Sequence, residues 1–558
     1  MENTVSDNPA VEIVKVQRLD HLGIIASVIK DLEIIEMIDA RIVPDDQEEI
    51  TTGEAVAGMI INGLGFSNRP ISLTPQFFEN KPVELLFGED VLAEHFNRFK
   101  LGRSLDKVFS YGCDLLFSEI SLSVCQQEKI DLRFNCLDTT SFSLTGEYTP
   151  ETDEQAILVT HGYSKDNRPD LKQAVLELMV SQDGGVPFIS QSWDGNAEDS
   201  AVFKYRCEEL VQQFSDSDMP RYLIADSKLY TKKNAANLAC LPFITRIPES
   251  LKVVKEVIEQ AWLFDQWQGL KDVAESYSDD TLSYQCVHLC HYGIEQRWLI
   301  VCSKAAWERA EKTLAKAQAK ELNKVTKQLF HLQAQRFCSK EEAQAALDKI
   351  TKKLKYHQVA SSNLSQHIQY ARKGRPTSDT PIKAIHWQIQ ACVTLDILKR
   401  TKHQQRKACF VLATSIPEMD LTDEEVIAGY KGQSAVEQGF RFLKDPVFFV
   451  SSLFVKKPSR IVGLLMVMTL ALLVYSVAQR RMRKQLKSQR ETVENQIGQP
   501  TERPTLRWIF QLLEGINRVI LSVQGQVKVL IEGVTERRKN ILWLFGQKVC
   551  QIYQISSA

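Results

Sequence analysis

The sequence lacks a dominant charge. Its 68 Lys and Arg against 70 Asp and Glu leave a net of −2 over 558 residues, so the total by itself points to no class of partner. Its N-terminus, MENTVSDNPAVE, is polar and acidic and is not read as a secretory leader. It lacks internal repeats. It also lacks any second C-x-x-C or His pair that would complete CVHLCH, residues 286–291, into a zinc site. Cys286, His288 and Cys290 are therefore read as one packed strand face, the 12 scattered thiols as reduced, and the compartment as cytoplasm. Long apolar runs are missing too, with one exception. IVGLLMVMTLALLVYSVA, residues 461–478, carries no charge and is followed by RRMRK. It is at the lower limit for a span and alone of its kind, and reads as a buried helix with no role in a membrane.

What the chain does have is length and an uneven charge. At ~150 residues each there is room for roughly three or four domains. Residues 1–100 hold 18 Asp and Glu against 8 Lys and Arg, whereas residues 301–376 hold 16 Lys and Arg against 6 Asp and Glu. A separate basic region can attract a polyanion despite the neutral total. Residues 1 to about 110 look helical, with Thr52 as a cap for TTGEAVAGMIINGLGF. From about 130 strands take over: LRFNCLDTTSFSL, AILVTHGYSKD, then AVLELMVSQDGGVPFISQSW, a hairpin turning at Asp183-Gly184-Gly185. EDSAVFKYRCEELVQQF is an amphipathic helix, RYLIADSKLY a short strand ending on an acid, and PFITRI another strand. That order fits a mixed three-layer α/β architecture. Two further strands, TLSYQCVHLCHYG and QRWLIVCS, precede a long basic helical stretch over 304–358, with Ser339 and Glu342 in capping-box spacing. After two more strands, Thr422 and Glu425 start the helix expected to carry Glu437, and helices are expected to the end apart from GQPTERPT, 498–505.

Three acids stand out by context. Asp138 lies in the first strand of the α/β region, Asp226 ends LIADSK, and Glu437 lies in YKGQSAVEQGFRFLKD, residues 430–445. At 100° per residue on one helix, Gln433, Glu437 and Lys444 fall within about 60° of Tyr430, beside an apolar stripe. A carboxylate at the edge of a core needs a counter-ion. Three that converge stay ionised together only around a divalent cation, the chemistry of two-metal phosphodiester cleavage.

These residues resemble a family. The Tyr430–Gln433–Glu437–Lys444 spacing matches the Tyr-x2-Arg-x3-Glu-x6-Lys signature of the IS-four superfamily of DDE transposases of bacterial insertion sequences. LDTTSF and LIADSKLY resemble its two Asp blocks, and HGYSKDNRPDLKQ, 161–173, a stretch between them. The resemblance covers about 130 to 480. It implies that Asp138, Asp226 and Glu437 are both catalytic residues and ligands of Mg²⁺, with Mn²⁺ as a substitute. It implies that Tyr430, Gln433, Lys444, Lys228 and Arg168 contact DNA, with Lys165 and Lys172 as further candidates for the cleft. Trp262, Trp267 and Trp298 are available to stack on a flipped base. Gln433 departs from the signature, because Arg clamps a phosphate with a charged fork and Gln offers only neutral hydrogen bonds.

The expected fold class is α/β: an RNase H-like mixed sheet with helices, interrupted by a β-plus-helical insertion, with helical N-terminal and C-terminal regions. The expected domains are a helical accessory and DNA-binding domain at 1–115, a catalytic core at 130–250 and 411–480, an insertion at 251–410, and a helical C-terminal region at 481–558. The expected function is Mg²⁺-dependent cutting and joining of transposon ends. The partners are DNA, as terminal inverted repeats and target, and a second copy of the chain on that DNA, with no membrane. The expected localisation is the bacterial cytoplasm, at the nucleoid. The alternative is a weak or inactive DNA-binding protein of transposase descent.

Overall fold

The computed structural model describes residues 11–67, 70–148, 150, 156–215, 221–270, 282–372, 374–378, 380–446, 448, 455–523 and 525–556. The chain divides into two compact units, residues 1–243 with 429–558, and residues 244–428. The strands in chain order begin with β1 (Val11–Arg18), β2 (Phe134–Leu144), β3 (Lys172–Ser181), β4 (Pro187–Trp193), β5 (Tyr222–Ala225) and β6 (Phe243–Arg246). Then come β7 (Gln268–Gly269), β8 (Leu282–His291), β9 (Ile294–Ser303), β10 (His357–Tyr370), β11 (Ile382–Leu395) and β12 (Cys409–Thr414). The last are β13 (Val493–Glu494), β14 (Pro500–Thr501), β15 (Asn517–Val523) and β16 (Gln526–Glu532). With its many helices this is a mixed α/β chain.

In the first unit β4, β3 and β2 are antiparallel neighbours and β5 runs parallel to β2. The turn between β3 and β4 requires glycine, because Gly184 and Gly185 sit at φ +87 and +66. Nine of the ten residues of β3 are buried, as a strand covered on both faces must be. The helix Asp199–Ser215 covers one face, where Arg206 reaches Glu177 and Gln191. The helix Cys113–Gln127 and the long helix Pro458–Gln489 cover the other, where Ser121 bonds the Phe188 carbonyl and Ser190 pairs with Thr469. The long helix contains the apolar run. It is the one described helix long and apolar enough on its own to cross a membrane, and 94% of its apolar window is buried inside the fold.

The N-terminal helices, including Leu22–Asp31, Thr52–Leu64 and Arg98–Tyr111, pack around this long helix in the same unit as the sheet. The cap of Thr52–Leu64 is Thr51, one residue earlier than the sequence suggests, in a full capping box with Glu54. Two corrections concern strands. The terminal regions are not wholly helical: β1, β15 and β16 form a three-stranded antiparallel sheet. The alternation in NRVILSV and QVKVLIE around Gly525, at φ +79, is a hairpin pattern, completed by a partner 500 residues away in the chain. Conversely, residues 156–166 form only a single bridge, Thr160 to Gln173. There the backbone is pressed together: a Cβ on Gly162 would stand 2.0 Å from the Gly195 carbonyl oxygen, so this stretch crosses the strand ends instead of extending the sheet.

The second unit carries β6, β12, β9, β8 and β7 in that order and the separate β10–β11 hairpin. Its basic helix Lys304–Ala334 buries only Ala310, Leu314, Val325, Leu329 and Leu332. The last three pack with Phe337, Ala343, Leu347 and Ile389. Ser339 caps the next helix by accepting from the Glu342 amide at 3.1 Å. CVHLCH is a half-exposed strand face with Cys286 Sγ 3.9 Å from His288 Nε2; it is not packed in the core, since β8 carries its alternate residues outward.

Candidate functional site

The parallel register of β2 and β5 ends at Leu137 opposite Ala225. The next residue on each strand is an acid, so Asp138 and Asp226 stand side by side where β5 stops and β2 continues with one edge uncovered. Ligand sites form at such carboxyl ends of parallel strands. Burial pushes the Asp138 carboxyl up to about 7, and Asp226 and Asp199 push it the same way, against the pull of Lys165 and the Thr139 amide. Asp226 is raised as well, first by burial and then by Asp199, although the Lys228 amide donates to its Oδ1 at 2.8 Å.

The sequence does not mark Asp199, the first residue of its helix. Its Oδ1 accepts from Thr139 Oγ1 at 2.6 Å, and its Oδ2 lies 3.2 Å from Lys165 Nζ. Lys165 also stands 3.9 Å from Asp138 and donates to the Thr139 carbonyl at 2.7 Å. It is fixed there because its amide bonds Ser141 Oγ. One cation is thus shared among three carboxylates.

Glu437 does not belong to one continuous helix with Tyr430. The helices are Asp423–Lys431 and Ser434–Leu443, broken at Gly432-Gln433. The cause is Gln182, whose Nε2 donates to the Gly429 carbonyl at 2.6 Å. The Gln433 amide turns to Tyr430 at 3.0 Å instead, the tighter spacing of a 3₁₀ turn. Gln433 occupies the N-cap position of the second helix without a side-chain cap bond and is buried, with 8% of its surface exposed. Val436, Phe440 and Leu443 are buried as their stripe predicts, and Glu437 is exposed.

This second helix runs along β2. At its start Cys136 Sγ donates to the Gly432 carbonyl at 3.6 Å, and at its end Lys444 Nζ lies 5.7 Å from the Phe142 ring. Cys136 and Phe142 share a strand face with Asp138 by alternation, so the helix that carries Glu437 lies over that face. Even so, among the described residues no three His, Cys, Asp or Glu side chains converge closely enough to hold a metal ion.

The remaining candidates divide. Lys444 pairs with Asp166 at 2.7 Å beside the helix end. Lys228 is exposed next to Asp226. Arg168 is exposed and engaged by both oxygens of Asp170, at 2.9 and 2.7 Å. Tyr430 is half-buried in the last turn of its helix, and Lys172 opens β3. Trp298 cannot stack on a base: it is fully buried in β9, donating to Gln296. Trp262 lies against Trp267 and Trp307, at 4.9 and 5.4 Å between rings.

Residues 131–474 match the family described as Transposase DDE domain, and residues 14–122 match a Domain of unknown function (DUF4277). No curated protein matches the sequence. Among solved structures, a piggyBac transposase in a synaptic complex with hairpin DNA is similar at 9% identity and a TM-score of 0.37, covering 89% of this chain and 80% of that one.

Proposed function

The chain belongs to the DDE-domain transposase family, and from that premise we propose that it cuts and joins DNA ends at the open edge of β2, as a member of the IS-four superfamily. The observation that carries the reading is the pair Asp138 and Asp226, adjacent in register, with both carboxyls raised by burial and by the neighbouring carboxylate Asp199. Their donor set fits a hard divalent cation: carboxylate oxygens alone, with no thiolate or imidazole. Asp138 and Asp226, joined by Glu437 from the overlying helix, would hold Mg²⁺ or Mn²⁺, which supplies activation of water and stabilisation of the leaving oxygen in phosphodiester cleavage.

The protein's own groups do the rest. Lys165 offsets part of the carboxylate charge while the site is empty of substrate. Lys444 exchanges Asp166 for a phosphate of the DNA end, with Tyr430 and Lys228 as neighbours on the same backbone. Gln433 stands where the signature has Arg and, being buried at the start of the Glu437 helix, offers DNA only neutral hydrogen bonds. Joining two ends calls for a dimer on the DNA, and the proposed location is the cytoplasm, at the nucleoid.

The test uses purified protein and a duplex carrying the inverted repeats that flank its gene. Cleavage with Mg²⁺ by the wild type but not by Asp226→Asn is expected. DNA binding without cleavage by either protein, with Mn²⁺ also tried, would overturn the nuclease reading and leave the non-cutting DNA-binding alternative.

A further inference from the structure

On the side of the Glu437 helix turned away from β2 lies a cleft of about 470 Å³, lined by Arg441, Asp445, Arg483, Arg503 and Arg507. The four guanidiniums come from separate stretches of the chain: the Glu437 helix, the long helix Pro458–Gln489, the 498–505 loop and the helix Leu506–Leu512. No local charge run brings them together; the fold does. One carboxylate faces them, Asp445, and it is engaged by Arg507. The lining thus brings four guanidiniums and one carboxylate to one cleft.

Arg483 is half-buried and donates its Nε to the Pro504 carbonyl at 3.0 Å. Burial, and after it the neighbouring Arg503, hold its guanidinium below the usual arginine range. Like charges gathered in a partly desolvated cleft cost stability unless an anion joins them. Arginine forks match phosphate oxygens bidentately.

We propose that this cleft binds the phosphodiester backbone of DNA, as a second contact track on the far flank of the helix that carries Glu437. The choice of DNA over a small anion rests on the transposase reading and on position. Arg441 lies one helical turn after Glu437 and only about 40° further round, so a strand leaving the cleft along this helix arrives at the carboxylates.

The test is the salt dependence of duplex binding, followed by fluorescence anisotropy without metal so that no cleavage intervenes. Arg441 and Arg503 are exposed, so Arg441→Gln with Arg503→Gln leaves the fold intact, which a thermal melt verifies. The slope of log K against log salt is expected to shrink by about 2 in the double variant. Arg537→Gln, an exposed arginine paired with Glu494 outside the cleft, is expected to leave it unchanged. A double variant with the wild-type slope overturns this inference alone. A wild type that binds no DNA overturns it together with the transposase reading. Inorganic phosphate that raises the melting temperature of the wild type but not of the double variant, with the DNA slope unmoved, would make the cleft a small-anion site instead.

Discussion

Glu177 and Asp138 lie on adjacent strands, one step apart in register, with Glu177 opposite Thr139 and Asp138 opposite Leu178. Glu177 is buried and Asp138 half-buried, and they point to opposite faces of the sheet. Glu177 is fully buried, yet Arg206 meets it at 2.6 Å and Trp193 donates to it at 2.8 Å, while Gln191 and Glu209 occupy the rest of the guanidinium. Asp138 has no such partner. It has Thr139 N–H at 2.7 Å, a lysine 3.9 Å away that serves Asp199 more closely, and Asp226 alongside. Two carboxylates in one sheet thus differ in whether a dedicated cation is built in. A fixed counter-ion makes a strut, whereas its absence leaves charge for something that arrives later.

The largest expected effect breaks the second member of that pair. Asp138→Asn should lower strand cleavage by about a thousandfold or more, the several kcal/mol that charge stabilisation at such a site provides. The metal-free protein should melt no lower than the wild type, because one of the crowded carboxylates is gone. Cleavage rates and thermal melts on the same preparation check both halves. Arg206→Met attacks the first member and should do the reverse. It leaves Glu177 buried without its cation, a loss of about 3–5 kcal/mol, read as a lower denaturant midpoint. Cleavage measured well below that midpoint should stay within severalfold of wild type.

How legible this contrast is in the sequence depends on how local its causes are. Asp138 and Asp226 can be read because each follows a short apolar run, and an acid ending such a run is unusual whatever surrounds it. The capping box at Thr422 and the Ser339 cap are equally local. Asp199 is not legible: it is one of several acids in DGNAEDSA, and only the packing of its helix brings it to Thr139. Nor is the break at Gly432-Gln433, which originates in a Gln182 side chain about 250 residues earlier that captures a helix carbonyl. The terminal sheet is hidden for the same reason, since β15 finds β1 across almost the whole chain.

A third prediction extends the contrast to a buried base. His21 stacks on Phe510 at 4.0 Å and bonds the Leu64 carbonyl through Nε2, while its buried Nδ1 has no hydrogen-bond partner among the described residues. Burial lowers its pKa from 6.5 to about 4. Between those values the unfolded chain holds a proton that the folded chain refuses, so stability is complete above the unfolded value and falls as the pH drops towards the folded one. The full loss is about 3 kcal/mol. Denaturant midpoints followed from pH 7.5 to 4.5 should show it, and His21→Gln should flatten the curve in that window.

The smallest expected effect on stability concerns Lys444, which occupies the middle ground between strut and open site. Its partner Asp166 is 2.7 Å away, but both side chains keep contact with water, at 25% and 35% exposure. A screened pair of this kind contributes within about 1 kcal/mol, so Lys444→Met should barely move the denaturant midpoint. If the pair were a strut like Glu177 and Arg206, the midpoint would fall as steeply as in Arg206→Met. If Lys444 is instead held ready for a phosphate, the loss appears elsewhere: the salt slope of DNA-end binding should shrink by about 1, and the same substitution made together with Asp166→Asn should shrink it no further. A slope that stays at the wild-type value would leave the carboxylates of β2 and β5 without a phosphate contact from Lys444, and only a fallen midpoint would then place it with the struts.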